Sequence, residues 1–377
     1  MRPFALVGRD EEQGHWDASM RRLELGRPGR STVLYGLRGV GKTVLLGDLA
    51  TRARRREWIV GSLEAGNGAS LRELIAGAFI TPLAELAKPS ATERIKRALH
   101  AFTSFRTTVD AQGSWSFGLD LSQIDAAPAN TGLLDTDLAV MFKALCVAAE
   151  ERGKGVALTV DEAQDLTLDE LSALCALLHD ATQQELPLLI ALAGLPSLPR
   201  ILGEARSYAE RQFEFRNIAS LTPAAASQAV TDPAEDAGVS WTPDALAEVL
   251  RSTDGYPYFI QEFGQQIWLA ADESPITLEA ALRGGANARE ALDRGFFRAR
   301  WDRATISEQR YLRAMAIDGS GPSQSGTVAQ RLDKQLASLG PARANLIRKG
   351  VIYAPDHGQV AFTVPHMADY INRQPTE

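Results

Sequence analysis

Gly36-Leu37-Arg38-Gly39-Val40-Gly41-Lys42-Thr43 is the stretch that decides the fold. It fits the pattern GxxxxGK[ST]. A β-rich run, Ser31 to Tyr35 (STVLY), precedes it, and the residues from Gly41 onward (GKTVLLGDLA) have helical spacing. Glycines let the backbone wrap closely enough to aim N–H groups at phosphate oxygens, and the following helix adds the partial positive charge of its N-terminus. Lys42 is expected to reach the β- and γ-phosphates, and the Thr43 hydroxyl to coordinate magnesium. Gly36, Arg38, Gly39, Val40, Gly41 and Val44 complete the expected nucleotide-binding segment. A glycine turn with an incidental lysine is the bland alternative, and the strand before and helix after argue against it.

Further along, Ala157-Leu158-Thr159-Val160-Asp161-Glu162 is an apolar strand ending in two carboxylates. Beside a phosphate loop, Asp161 is expected to hold magnesium through water and Glu162 to polarise an attacking water. The reaction implied is hydrolysis of the β–γ phosphoanhydride. A strand followed by two acids also reads as a helix cap, here for the helix containing Leu166.

Strand and helix alternate through this first part. Glu57 to Gly61, Gly155 to Val160 and Leu186 to Ala193 read as strands, while Ser70 to Leu86, Asp135 to Glu151 and a segment through Leu178 read as helices. That pattern predicts an α/β P-loop core over 1–221 with a mostly parallel sheet covered on both faces. The stretch from Ala111 to Thr131, rich in Gly, Ser, Ala and Asp, reads as a surface insertion.

After Leu221 the strand-like runs stop. A small helical lid domain is expected over 222–300, with Thr242-Pro243 supplying a cap and an N1 proline. Over 301–377 Thr305 and Glu308 form a capping box. Three helices and two short strands flanking Pro355-Asp356-His357-Gly358 then predict a winged helix-turn-helix. Its second helix would enter the major groove of double-stranded DNA. Arg343 and Asn345 are candidates for base edges, and Arg348, Lys349 and His357 for phosphates. The turn carries one acid and no Lys or Arg, so a protein-contact role stays open. The arginines ending at Arg56 read as a solvated helix C-terminus.

The chain has 377 residues, 45% hydrophobic and 23% charged, which is more than one ordinary core can use. Its longest apolar stretch, near Leu186 to Leu195, is interrupted by Pro187 and falls short of the roughly 20 residues that span a bilayer. Cys146 and Cys175 read as buried thiols with no metal spacing. With no signal-peptide run in MRPFALVGRDEE, a cytoplasmic location without membrane association is expected. The net charge is -7, but from Arg300 onward Lys and Arg number 10 against 7 acids. A nucleic acid would therefore have to be gripped locally.

Taken together these segments resemble the AAA+ and STAND ATPases, especially the origin-recognition-like archaeal and bacterial members. The resemblance runs through Val7-Gly8-Arg9, both phosphate motifs, Ala193-Gly194-Leu195-Pro196, Ser207 to Phe213, Gly255-Tyr256-Pro257 and Phe362-Thr363-Val364-Pro365-His366. It implies ATP or ADP with Mg2+ as the ligands, and slow hydrolysis. It also places Val7 to Arg9 near the adenine and ribose, so Arg9 becomes a nucleotide-binding candidate. Ala193-Gly194 falls at the first sensor without the Asn or Thr common there. Arg211 resembles an arginine that faces a nucleotide in cis or from a neighbouring subunit, which implies nucleotide-dependent self-association. Its alternative is a surface ion pair with Glu210 or Glu214. Pro257 matches the GxP motif of the lid, and no arginine follows in Tyr258 to Glu262 where a second sensor is expected. Two functions stay open. One is a switch that couples ATP occupancy to DNA binding. The other is a STAND-type regulatory ATPase whose winged helix contacts protein or packs on the core and holds it inactive.

Overall fold

The computed structural model describes residues 6–66, 68–88, 90–107, 124 and 127–375. Five strands form one parallel sheet: β1 (Ser31–Tyr35), β2 (Ile59–Glu64), β3 (Val156–Asp161), β4 (Leu188–Gly194) and β5 (Phe213–Asn217), in the order β2-β3-β4-β1-β5. All of β4 and all of β3 except Asp161 are buried. Strands covered on both faces need no polar alternation, which explains their continuous apolar runs. Because β4 lies between β1 and β3, the loop after β1 and the carboxylates ending β3 open on the same edge, with one strand between them. The crevice at the carboxyl ends of parallel strands is where open α/β sheets hold ligands. The edge strand β5 was not legible as such, since FEFRN is charged and only its first residue is buried.

The helices of this part are α1 (Asp10–Glu24), α2 (Lys42–Arg55), α3 (Leu71–Leu86), α4 (Glu93–Thr107), α5 (Leu134–Glu150), α6 (Leu168–Gln183), α7 (Leu198–Ala205) and α8 (Ala209–Gln212). Alternation along the strands sorts them into two layers. Leu34, Ala157, Leu189 and Ala191 face Trp16 of α1 and Leu45 and Leu49 of α2, while Val33, Leu158, Val160 and Ile190 face α3 to α7. Helices α3 and α6 begin in complete capping boxes, Ser70 with Glu73 and Thr167 with Glu170. Most of the expected 111–131 insertion lies outside the described residues. At its described end Ala127, Pro128, Asn130 and Thr131 are exposed, while Ala129 among them is buried.

Asp137 on α5 is a carboxylate with no exposure. It accepts from the Thr131 amide and hydroxyl, the Gly132 amide and Arg72. Burial by itself would raise its pKa, but these donors outweigh it and hold the carboxyl below its ordinary value. Asp137→Ala leaves Arg72 unpaired, so we expect a loss of about 3–5 kcal/mol in denaturant unfolding at pH 7. The folded pKa is the lower one, so this contribution is complete above the unfolded pKa and disappears as pH falls through the folded value.

Helices alone follow: α9 (Pro223–Asp236), α10 (Pro243–Thr253), α11 (Pro257–Ala270), α12 (Leu278–Ala291), a π-helical turn (Leu292–Phe297) and α13 (Arg298–Trp301). Thr242 sits at the N-cap of α10 with Pro243 inside, but its hydroxyl donates to the Ile276 carbonyl instead of capping the helix. The last part holds α14 (Ile306–Ala316), α15 (Ser325–Arg331), α16 (Gly340–Arg348) and α17 (Met367–Asn372). A three-stranded antiparallel sheet accompanies them: β6 (Ser323–Gln324), β7 (Ile352–Tyr353) and β8 (Gln359–Phe362), with β8 central. The Thr305–Glu308 capping box is complete. Buried side chains of these later parts join those of α1 and α2 in one apolar cluster, so they are packed onto the sheet layer rather than tethered to it. Both cysteines are buried thiols. Among the described residues no helix is long and apolar enough to cross a membrane.

Candidate nucleotide site

Gly39 (φ 89°) and Gly41 (φ 94°) take left-handed conformations that bend the loop back toward the start of α2. Close approach fixes two of the glycines. A Cβ on Gly36 would lie 2.1 Å from the Ile218 carbonyl oxygen, and one on Gly39 would lie 2.8 Å from the Tyr256 hydroxyl. The Gly36 amide donates to the Gly194 carbonyl (3.1 Å) and ties the loop to the end of β4. Lys42 is buried, and its Nζ donates to the carbonyls of Gly36 (3.0 Å) and Leu37 (2.8 Å). Burial pulls its pKa down to about 8 against the opposing pull of Glu162 and Asp161, with Arg38 adding to the depression.

A cavity of about 380 Å³ opens over the loop, lined by Arg38 to Val44, Asp161, Glu162, Arg9 and Pro257 among others. Thr43 is exposed to it and Asp161 half-exposed. Their hard oxygen donors suit magnesium, which takes one or two protein oxygens plus phosphates and waters. Among the described residues no three His, Cys, Asp or Glu side chains form a ready metal cage. When bound, that ion neutralises charge on the β- and γ-oxygens.

Glu162 is the most constrained residue here. Its φ is +48°, uncommon for a residue with a side chain. One carboxylate oxygen accepts from Arg38 Nη1 (2.7 Å) and the other from Gln164 Nε2 (2.7 Å), while its amide donates to Asp161 (2.8 Å). Gln164 was not among the residues singled out from sequence. Its Oε1 accepts from the Leu195 amide (2.9 Å), so it bridges Glu162 to the end of β4. Gly194 permits this, since a Cβ there would lie 2.6 Å from that same oxygen. An amide from just after β3 thus reaches across to the end of β4. We expect Gln164→Leu to slow single-turnover hydrolysis about 10-fold, the effect of misplacing a base, with nucleotide affinity little changed. An equal loss of affinity would assign Gln164 to binding instead.

Comparison with known proteins agrees with this geometry. Residues 5–191, which include the loop and both carboxylates, match the AAA ATPase domain. The first half of the chain is an AAA ATPase domain. Hydrolysis of ATP is the activity that goes with it. Residues 294–371 match a domain of unknown function (DUF8462). No curated protein matches the chain. Among solved structures, a Walker-type ATPase of Pyrococcus abyssi is 17% identical with a TM-score of 0.56, covering 98% of this chain and 97% of that one. Cdc6p from Pyrobaculum aerophilum is 16% identical (TM-score 0.49; 99% and 95% covered). The RuvB Holliday junction branch migration motor of Thermotoga maritima is 12% identical (TM-score 0.48; 100% and 99%). The likeness to the Pyrococcus protein is one of fold.

Of the remaining expected site residues, Arg9 and Pro257 line the cavity and Arg211 does not. Arg9 is buried, and its Nη2 donates to the carbonyls of Val40 (3.1 Å) and Ala219 (2.7 Å), so it ties the loop to the segment after β5. Pro257 opens α11, and the next amide, Tyr258 N–H, donates to Gly39 O (3.2 Å). Arg211 lies on α8 beside a separate cavity lined by His15, His179 and Tyr208; within this chain it is not brought to the phosphate loop. Its expected partner Glu214 pairs with Arg30 and Arg216 instead.

The supposed DNA-reading residues are also placed differently. Arg343, Arg348, Lys349 and His357 line a cleft of about 1090 Å³ whose other wall includes Arg38 and Gln164 of the AAA ATPase domain and Leu195 and Arg200 just after it. Asn345 is outside that lining, and its side-chain oxygen accepts from Arg348. Lys349 is not available for a phosphate, since its Nζ donates to buried Glu308 (2.6 Å) and to the Arg303 carbonyl (2.8 Å). Arg343 donates to the Gln359 carbonyl at 3.4 Å. Packing of the last part onto the core sets this face along a cleft, with Arg348 and His357 still exposed and Arg343 and Lys349 half-buried.

Proposed function

We propose that the chain is an ATP-binding, slowly hydrolysing switch of the STAND kind. Its parts are a core over 1–221, a helical lid over 222–300 and a winged helix over 301–377 that holds the core at rest. The three helices α14 to α16 and the β7–β8 hairpin support the winged-helix reading. Arg38 carries the proposal as a whole. Its main-chain N–H donates to the Thr363 carbonyl (2.9 Å), while its guanidinium pairs with Glu162 (2.7 Å). Gly350 lies against the same guanidinium, where a Cβ would come within 3.2 Å of Nη2. One residue of the phosphate loop thus links the C-terminal part to the glutamate, both of whose oxygens are already engaged. A γ-phosphate entering beside Arg38 would compete for its guanidinium and loosen both ties.

The ion pair that ties Lys349 to Glu308, and the place of Arg343 in a cleft against the core, favour a regulatory ATPase over a protein that holds DNA constitutively. The same basic cleft supports a polyanion as the partner once opened, and duplex DNA is the one we propose. The test is duplex binding by the full chain without nucleotide, with ADP and with ATP, at low and high salt. Binding only with ATP, falling steeply with salt, supports the DNA partner. Absence of binding at low salt in every state, with ATP still lowering hydrogen-exchange protection near Thr363, leaves the switch with a protein partner. Protection near Thr363 indifferent to every nucleotide would end the switch reading. Arg211, exposed on α8, is proposed to face a second copy, so self-association should appear with ATP and not with ADP.

A further inference from the structure

Arg300 is a cation in the nucleotide cavity without an anion of its own. It sits on α13, the short helix between the lid helices and the C-terminal part, and lines the cavity beside Lys42, Asp161 and Glu162. Among the described residues its guanidinium makes one hydrogen bond, to the Phe296 carbonyl (2.5 Å), and no ion pair. Two aromatic rings prop it in place. The guanidinium lies 4.1 Å over Phe296, and Phe296 stacks on Tyr258 (4.6 Å between centroids, 24° between planes). The Tyr258 amide is bonded in turn to Gly39 of the phosphate loop.

The charge around it has the same sign. Burial and then Arg38 lower the pKa of Arg300, with Tyr256 and Tyr258 opposing. A partly buried guanidinium beside another guanidinium is costly, and an anion offering several oxygens relieves both. Arg300 and Arg38 also line the cleft between the AAA ATPase domain and the C-terminal part, so they stand where the two cavities meet.

We propose that Arg300 reads the terminal phosphate of ATP: its guanidinium donates to γ-phosphate oxygens, a contact ADP cannot make. This rests on the nucleotide reading of the cavity. Because α13 leads directly into the C-terminal part, the contact pulls on the connection between lid and latch. ATP and ADP then differ in what they do to the interface at Thr363, through a residue outside every phosphate motif of the sequence.

The test is calorimetry of the full chain with Mg-ADP and with Mg-ATPγS, which carries a slowly hydrolysed terminal phosphate. Arg300→Ala is expected to lose about 10- to 100-fold in ATPγS affinity and no more than about twofold in ADP affinity. Arg300→Lys should recover part of the loss. Arg300→Gln, which keeps an uncharged stem over Phe296, repeats the test where the alanine variant is unstable. Equal losses for both nucleotides would make Arg300 a structural prop and overturn the proposal, as would unchanged ATPγS affinity. Failure of the parent chain to bind either nucleotide would instead overturn the reading of the cavity, and it shows before any variant is made.

Discussion

Lys42→Ala is expected to reduce ATP turnover by about 10³-fold or more and to weaken nucleotide binding by about 10²-fold. The ammonium is buried at the root of the loop, 3.0 Å from the Gly36 carbonyl oxygen and 2.8 Å from that of Leu37. It is the only ammonium along the cavity wall among the described residues. A contact of this kind contributes to the ground state, and it strengthens as charge moves onto the transferring phosphoryl group. Affinity and turnover should therefore both fall, turnover further. Calorimetry with Mg-ADP and a single-turnover assay separate the two losses; unchanged turnover would remove Lys42 from the site. The pH dependence of stability supplies an independent check. Lys42 has a folded pKa of about 8, below its ordinary value. The unfolded chain therefore binds more protons between that value and the ordinary one, and stability rises with pH across this window. Below it the buried ammonium is a constant cost. Lys42→Ala should abolish that rise and leave the nucleotide-free protein no less stable near pH 7.

What the sequence revealed divides along physical lines. The phosphate loop, the strands β1, β3 and β4 and the capping box at Thr305 are local patterns, in which residue type and spacing carry the structure. The edge strand β5 was hidden because one side of it is uncovered, so Glu214 and Arg216 interrupt any apolar run. Helix α4, for which the sequence reading assigns no element, carries Leu99, Phe102 and Phe105 on a buried face. The role of Gln164 depends on β4 being the neighbour of β3, which no motif announces. Arg38 fits the loop pattern as a variable position, and its two partners, Glu162 and Thr363, come together only through packing. Arg343 and Lys349 were read correctly as basic residues of one helix region, yet which way that face points is a property of docking. The start of the lid helix, Tyr258 to Glu262, carries no arginine, whereas the cavity receives Arg300 from a different helix.

Glu162→Gln is expected to keep nucleotide binding within a few-fold of the parent while lowering hydrolysis about 10²- to 10³-fold, the usual worth of a positioned base. The amide keeps the shape of the side chain and its contact with Gln164 but cannot take a proton from water. That result by itself does not separate the chemistry of Glu162 from the restraint placed on it. Arg38→Ala does, because it removes the guanidinium that holds Glu162 and leaves the carboxylate in place. If the ion pair keeps the enzyme at rest, Arg38→Ala should raise basal turnover several-fold, and hydrogen exchange near Thr363 should rise with it as the cleft loosens. The double variant should then turn over as slowly as Glu162→Gln alone, since a released side chain without a carboxylate has nothing to contribute. Should Arg38→Ala instead be as slow as Glu162→Gln, its guanidinium belongs to the transition state rather than to the resting latch. The pairing seen here would then be a step on the way to catalysis, and the C-terminal part would act by holding Arg38 ready.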